Sequence, residues 1–163
     1  MTQQNPWHGA TAWSNTKDHH QTTPTPSTSM DHGSQPFVID INKATIHNDT
    51  YRTAIWTGQH LQLTVMSIPV GEDIGLEMHP NVDQFLRIED GQGLVRMGNS
   101  RDHLYIHQPV FHDSAIFIPA GTWHNVANTG RTPLKLYSIY APPNHRHGVR
   151  QQTKQIAEME EKA

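Results

Sequence analysis

The side chains able to do chemistry here are oxygen and nitrogen donors. The chain has 163 residues, thirteen histidines and no cysteine. A disulfide framework, a thiolate nucleophile and any sulfur-ligated centre are thereby excluded, and a metal would have to rest on His, Asp, Glu or an amide oxygen. Glu77 and His79 stand two apart, so on a strand both project from one face of the sheet and come close together. In the following run, alternation places Gln84, Leu86 and Ile88 on one face and Asp83, Phe85 and Arg87 on the other. An inward Gln among apolar neighbours needs a partner for its amide. Further along, behind the Pro119-Ala-Gly121 turn, His124, Val126 and Asn128 share a face.

These residues need a rigid frame, and composition shows where it lies. Residues 1–36 contain six members of the hydrophobic set, Met1, Trp7, Ala10, Ala12, Trp13 and Met30, too few to offset the entropy of ordering the segment. The expectation is a disordered polar tail over 1–36, a folded core over 37–148 and a short, mostly solvated C-terminal helix or tail over 149–163. Apolar or alternating runs rich in Val, Ile, Leu, Phe and Tyr occur at 37–41, 51–56, 61–68, 83–89, 93–97, 115–118, 123–128 and 134–140. Turn signals such as Glu89-Asp-Gly-Gln-Gly93 and Gly98-Asn-Ser100 separate them. Short strands joined by Gly-rich turns predict an all-β antiparallel sandwich or barrel. The polar stretch between Met97 and Ala115 reads as a long loop over the barrel mouth.

The two chemically informative segments resemble the signature motifs of the cupin superfamily. In that family the first motif is Gly, five residues, His-x-His, three or four residues, Glu, six residues, Gly. The second is Gly, five residues, Pro-x-Gly-x-x-His, three residues, Asn. Here the first runs Gly71, five residues, Glu77-x-His79, four residues, Gln84, six residues, Gly91; the second runs Asp113, five residues, Pro119-x-Gly121-x-x-His124, three residues, Asn128. The spacing is kept while Glu77 replaces a His, Gln84 replaces Glu and Asp113 replaces Gly. Asp83 also fits the variable gap after His79, but six residues counted from it reach Asp90, whereas from Gln84 they reach Gly91. Gln84 is therefore the better candidate. The resemblance implies a jelly-roll double-stranded β-helix with one metal held inside by Glu77, His79, Gln84 and His124. One carboxylate, two neutral imidazoles and an amide oxygen suit a divalent Mn, Fe, Co, Ni or Zn ion.

Within the superfamily the chain is similar to small single-domain cupins described as mannose-6-phosphate-isomerase-like. A phosphosugar isomerase needs a phosphate clamp, and the cations of the core, Arg52, Arg87, Arg96 and Lys135, are scattered in the sequence. Three classes of function remain open: a metal-dependent isomerase or lyase acting on a sugar, sugar acid or keto/enol compound; an Fe²⁺ dioxygenase; and a non-catalytic small-molecule-binding cupin. No general base is identifiable, though a His of the 103–112 stretch is conceivable. His145-x-His147 follows Pro142-Pro143 and reads as a surface loop, and the tail's His8, His19, His20 and His32 read as residues of a plain tail. A net charge of −3 with dispersed Lys and Arg speaks against nucleic acid. The absence of a long apolar run speaks against a membrane span, and the polar start, without a signal-like segment, points to the cytoplasm. The family implies a homodimer, in which strands like Phe37–Ile41 pair across the interface.

Overall fold

A computed structural model describes residues 30–163; the part of the expected tail before Met30 lies outside the described residues. The elements, in chain order, are α1 (Ile41–His47), β1 (Arg52–Thr57), β2 (Gln62–Ile68), β3 (Asp83–Asp90), β4 (Gln92–Gly98), β5 (Ile106–Phe111), β6 (Ala115–Ile118), β7 (Trp123–Asn128), β8 (Leu134–Ala141), β9 (Arg150–Gln151) and α2 (Lys154–Glu161). They form a six-stranded sheet ordered β6-β3-β8-β2-β1-β9 and a three-stranded sheet ordered β5-β4-β7. All strand pairs are antiparallel. This is the expected all-β jelly roll with a short C-terminal helix.

Register explains where polar and apolar residues go. Cross-strand partners point to the same side, and three strands carry matched inward rows. Gln62, Tyr140 and Gln84 form one row, Thr64, Ser138 and Leu86 the next, Met66, Leu136 and Ile88 the third. The larger sheet is therefore polar inside at one end and apolar at the other. Val95, Val110 and Val126 of the smaller sheet join Leu86, Ile88, Met66, Leu134 and Leu136 in one continuous core. The apolar end holds the two sheets together by burial, each such side chain contributing on the order of 1.5–3 kcal/mol, and leaves the polar end free for function.

Three local expectations are corrected. Residues 37–41 are not a strand: α1 begins at Ile41, because the Asp40 side chain accepts from Lys43 N at 3.0 Å and caps the helix. An N-cap acid followed by Ile41, Ala44 and Thr45 at helical spacing outweighs the β-favouring character of Phe37, Val38 and Ile39. The stretch after Met97 is not all loop. It contains β5, hidden from the sequence by its polarity and by Pro109, both tolerated because β5 lies at a sheet edge and is largely exposed. Finally, residues between 30 and 36 make ordered contacts. The buried Asp31 carboxylate accepts from Gly33 N and Gly148 N, each at 2.9 Å, and from Thr57 Oγ1 at 2.6 Å. The C-terminal segment is anchored as well, with Thr153 capping α2 and Ala157 buried.

Candidate metal centre

The segment carrying Glu77 and His79 is not a regular strand, yet it runs along β7 as one. Glu77 N donates to His124 O at 3.0 Å and His124 N to Glu77 O at 2.9 Å, so the two residues are direct cross-strand neighbours and their side chains emerge on the same side. His79, two residues on, is held there by Gly121 N, which donates to His79 O at 2.8 Å. The Pro119-x-Gly121 turn thus ties the second motif to the first. The ligand atoms of Glu77, His79 and His124 all lie within 4.8 Å of one another.

The geometry inside this cluster favours a cation. His124 Nδ1 is 2.8 Å from Thr122 O. A carbonyl can only accept, so Nδ1 carries the proton and the neutral ring presents the Nε2 lone pair to Glu77 Oε1, 3.3 Å away. His79 Nε2 stands 3.4 Å from the same oxygen and has no hydrogen-bond partner among the described residues. Three electron-pair donors converging without enough protons between them are stabilised by a positive ion at their centre. Burial by itself raises the Glu77 pKa; the hydrogen bonds and positive charge that His124 and His79 supply when their Nε2 atoms carry protons outweigh it and hold the carboxyl well below the usual range, and a cation at the centre would take over that role from the protons. His124 is fully buried, whereas the His79 and Glu77 side chains are 13% and 24% exposed.

Gln84 comes from the facing sheet. It is buried, its Nε2 donates to Ser138 Oγ at 3.0 Å, and its Oε1 has no hydrogen-bond partner among the described residues. Its row neighbour Tyr140 meets the His79 ring edge-on, with centroids 6.0 Å apart. An inward amide oxygen without a donor fits a hard-cation ligand. Asp83 is exposed and accepts from Ala120 N at 2.9 Å, tying β3 to the turn before His124. Asn128 has a structural part. Its amide donates to Ile68 O and Thr132 O and its oxygen accepts from Gly130 N.

Three residues of the polar end carried little signal in the sequence. Arg52 is buried, donates from Nη1 to Gln151 Oε1 at 2.9 Å, and has no hydrogen-bond partner for Nε among the described residues. Tyr140 is buried, which raises the pKa of its phenol. His145 turns inward from its loop and packs edge-on against Tyr140, with centroids 5.0 Å apart. Burial first, and then the Arg52 charge, push its pKa down to about 3. Alternation marks Arg52 as inward; only the cross-strand register shows which residues meet it. The histidines of the 103–112 stretch lie elsewhere: His107 bonds Leu104 O and His112 bonds Glu89 O.

A family model described as "Cupin domain" matches residues 64–140, from β2 to near the end of β8. The protein YrkC of Bacillus subtilis is 66% identical over 124 residues, covering 76% of this chain and 67% of YrkC. The protein L612 of Acanthamoeba polyphaga mimivirus is 40% identical over 115 residues, 70% of each chain. The crystal structure of BH2720 from Bacillus halodurans superimposes with a TM-score of 0.79 at 62% identity, over 79% of this chain and 98% of that one. A Klebsiella pneumoniae protein with a double-stranded β-helix domain shares the fold at 16% identity, with a TM-score of 0.56 over 73% of this chain and all of its own. With jelly-roll register, motif spacing and these relatives in agreement, the chain belongs to the cupin superfamily.

Proposed function

We propose that the protein holds one divalent transition metal through Glu77, His79 and His124, completed by Gln84 Oε1, and uses it on a small polar metabolite, a sugar, sugar acid or keto/enol compound, by isomerase or lyase chemistry. The observation that carries this reading is the pair of imidazole nitrogens facing one carboxylate oxygen at 3.3 and 3.4 Å, with His124 Nδ1 already engaged by Thr122 O. A metal held by these residues would supply Lewis-acid activation of a substrate carbonyl. The chain's own residues fix the His124 tautomer and orient His79 through Gly121 and Tyr140. Arg87 pairs with Asp113 and Glu89, and Lys135 reaches Asn48 O. Neither joins Arg52 inside the polar end, so a mannose-6-phosphate-like ester finds no cluster of cations there.

Two histidines and one carboxylate also make the ligand set of non-haem Fe²⁺ oxygenases, and this favours a dioxygenase as the second reading. We place the protein in the cytoplasm and read it as a homodimer, with the outward residues Phe85, Phe117 and Tyr137, which contact one another on the larger sheet, as the apolar face available for pairing. No helix among the described residues is long and apolar enough to cross a membrane.

Elemental analysis of protein purified without a His tag tests the reading. Manganese, zinc, nickel or cobalt near one equivalent is expected, and iron with oxygen consumption would favour the dioxygenase. Absence of any bound metal, with none taken up on titration, would refute both and leave a non-catalytic binding cupin.

A further inference from the structure

Seven buried side-chain polar atoms lack a hydrogen-bond partner among the described residues, and five of them, on Arg52, Thr64, His79, Gln84 and His145, belong to the polar end of the barrel. Unsatisfied buried groups are costly, and so many at one place signal a missing ligand. His79 and Gln84 are accounted for by the metal proposed above. Arg52 and His145 are not.

His145 stands one ring away from His79, through Tyr140, and the Arg52 charge is felt at Tyr140, Glu77 and His145. Arg52 lies on the face of β1 that carries Ala54; Ala54 pairs with Thr64 and Thr64 with Ser138, so all four project into the barrel. The guanidinium sits over the Tyr51 ring, 5.1 Å from its centroid, and its charge acts on Tyr140, Glu77 and His145. His145 packs edge-on against Tyr140, which in turn meets the His79 ring. Its loop is fixed there by Gln62, whose side chain accepts from Asn144 N and His145 N and donates to His145 O. A surface depression of about 270 Å³ lies against His145 and against Gln151, the partner of Arg52; Glu160 and Glu161 also line it, and Glu160 is paired with Arg146 and Gln151.

We propose that Arg52 and His145 form a subsite for one carboxylate group of the substrate, next to the metal, so that the substrate is a small organic acid anion that binds with its carboxylate on Arg52 and its neighbouring oxygen toward Glu77, His79 and His124. The inference deepens the metal-dependent reading above and rests on it for the placement of that second oxygen. Arg52 Nε–H is a donor without an acceptor among the described residues, and His145 Nε2, likewise unpartnered, donates in the tautomer that carries the proton there. Glu77 and Glu161 both act on the Arg52 charge, so two carboxylates stand against the guanidinium and, in the loaded protein, a divalent cation; the balance is still positive, which favours an anion over a neutral sugar in a dry environment.

The test uses glycolate and its uncharged analogue glycolamide, titrated calorimetrically into the full chain both metal-loaded and stripped with EDTA, with inorganic phosphate as a third probe. Glycolate is expected to bind the loaded protein at least tenfold more tightly than glycolamide or phosphate, and to keep a weaker, still charge-dependent affinity for the stripped protein. Arg52→Gln, which keeps a partner for Gln151, should lower glycolate affinity at least tenfold with metal content unchanged. His145→Phe, which keeps the ring contact with Tyr140, should lower it several-fold, so the result does not depend on one variant folding. Equal affinity for glycolate and glycolamide, tighter phosphate binding, or affinities unmoved in both variants would overturn the subsite. If no metal binds but Arg52-dependent glycolate binding survives, the metal reading fails and the subsite stands.

Discussion

At the scale of single residues, Glu77 is the hinge of the site. Both imidazole nitrogens face its Oε1, so Glu77→Gln, which replaces a charge with an amide of the same shape, should reduce bound metal below a tenth of the wild-type content while the circular dichroism spectrum stays unchanged. Because the Glu77 carboxyl is held far below the usual range, it remains ionised through the whole working pH range and cannot be the group that limits metal binding in mild acid. The imidazoles must be neutral to ligate. Metal affinity should therefore fall as the pH is lowered into mild acid, with a slope approaching two protons. A competition titration across pH 7.5–4 measures this, and affinity that stays flat through mild acid and breaks only near pH 4.5, about the ordinary carboxylate range, would point to a carboxylate instead. The candidate ligand residues were legible because cupin spacing survives three changes of residue type. Arg52 and His145 were not, because a buried guanidinium and an inward loop imidazole are defined by neighbours on other strands.

Elements depend on backbone conformations that the motif encodes. Asp113 stands where the family has Gly and adopts φ 69°, the one non-glycine residue with positive φ among the described residues; Asp tolerates this conformation better than most side chains. The motif's conformational demand is thus met even though its residue type is not, which is why the spacing was the more informative signal. Gly91, between β3 and β4 where the chain passes from one sheet to the other, has φ 89°, and a Cβ there would stand 2.8 Å from Pro133 O. Gly91→Ala should cost roughly 1–3 kcal/mol through strain and collision. Asp113→Gly should stay within about 0.5 kcal/mol, since it relieves the conformation while losing an exposed pairing with Arg87. Urea denaturation compares the two; equal losses would contradict this assignment of strain. The elements misread from sequence, α1 and β5, are the two whose character is set by one residue, the Asp40 cap and the edge-strand Pro109.

For the molecule as a whole, the division of the barrel into an apolar end and a polar end makes stability depend on pH through groups that are buried neutral. His145 is one: burial and the Arg52 charge set its folded pKa at about 3, against about 6.5 in the unfolded chain. Above pH 6.5 neither state binds the proton. As pH falls below 6.5 the unfolded chain takes it up and the folded barrel does not, so stability is lost progressively from about 6.5 down toward the folded pKa, at up to about 1.4 kcal/mol per pH unit. Between pH 6.5 and 4.5 this amounts to roughly 2–3 kcal/mol. His145→Phe keeps the packing against Tyr140 and removes the proton site. Chemical denaturation of the EDTA-stripped proteins at pH 7, 5.5 and 4.5 should show the gap between variant and wild type shifting in favour of the variant as pH falls. A constant gap across the three values would mean that the His145 ring is open enough to water to protonate in the folded state, and with it that the polar end is not the dry compartment that a carboxylate subsite requires.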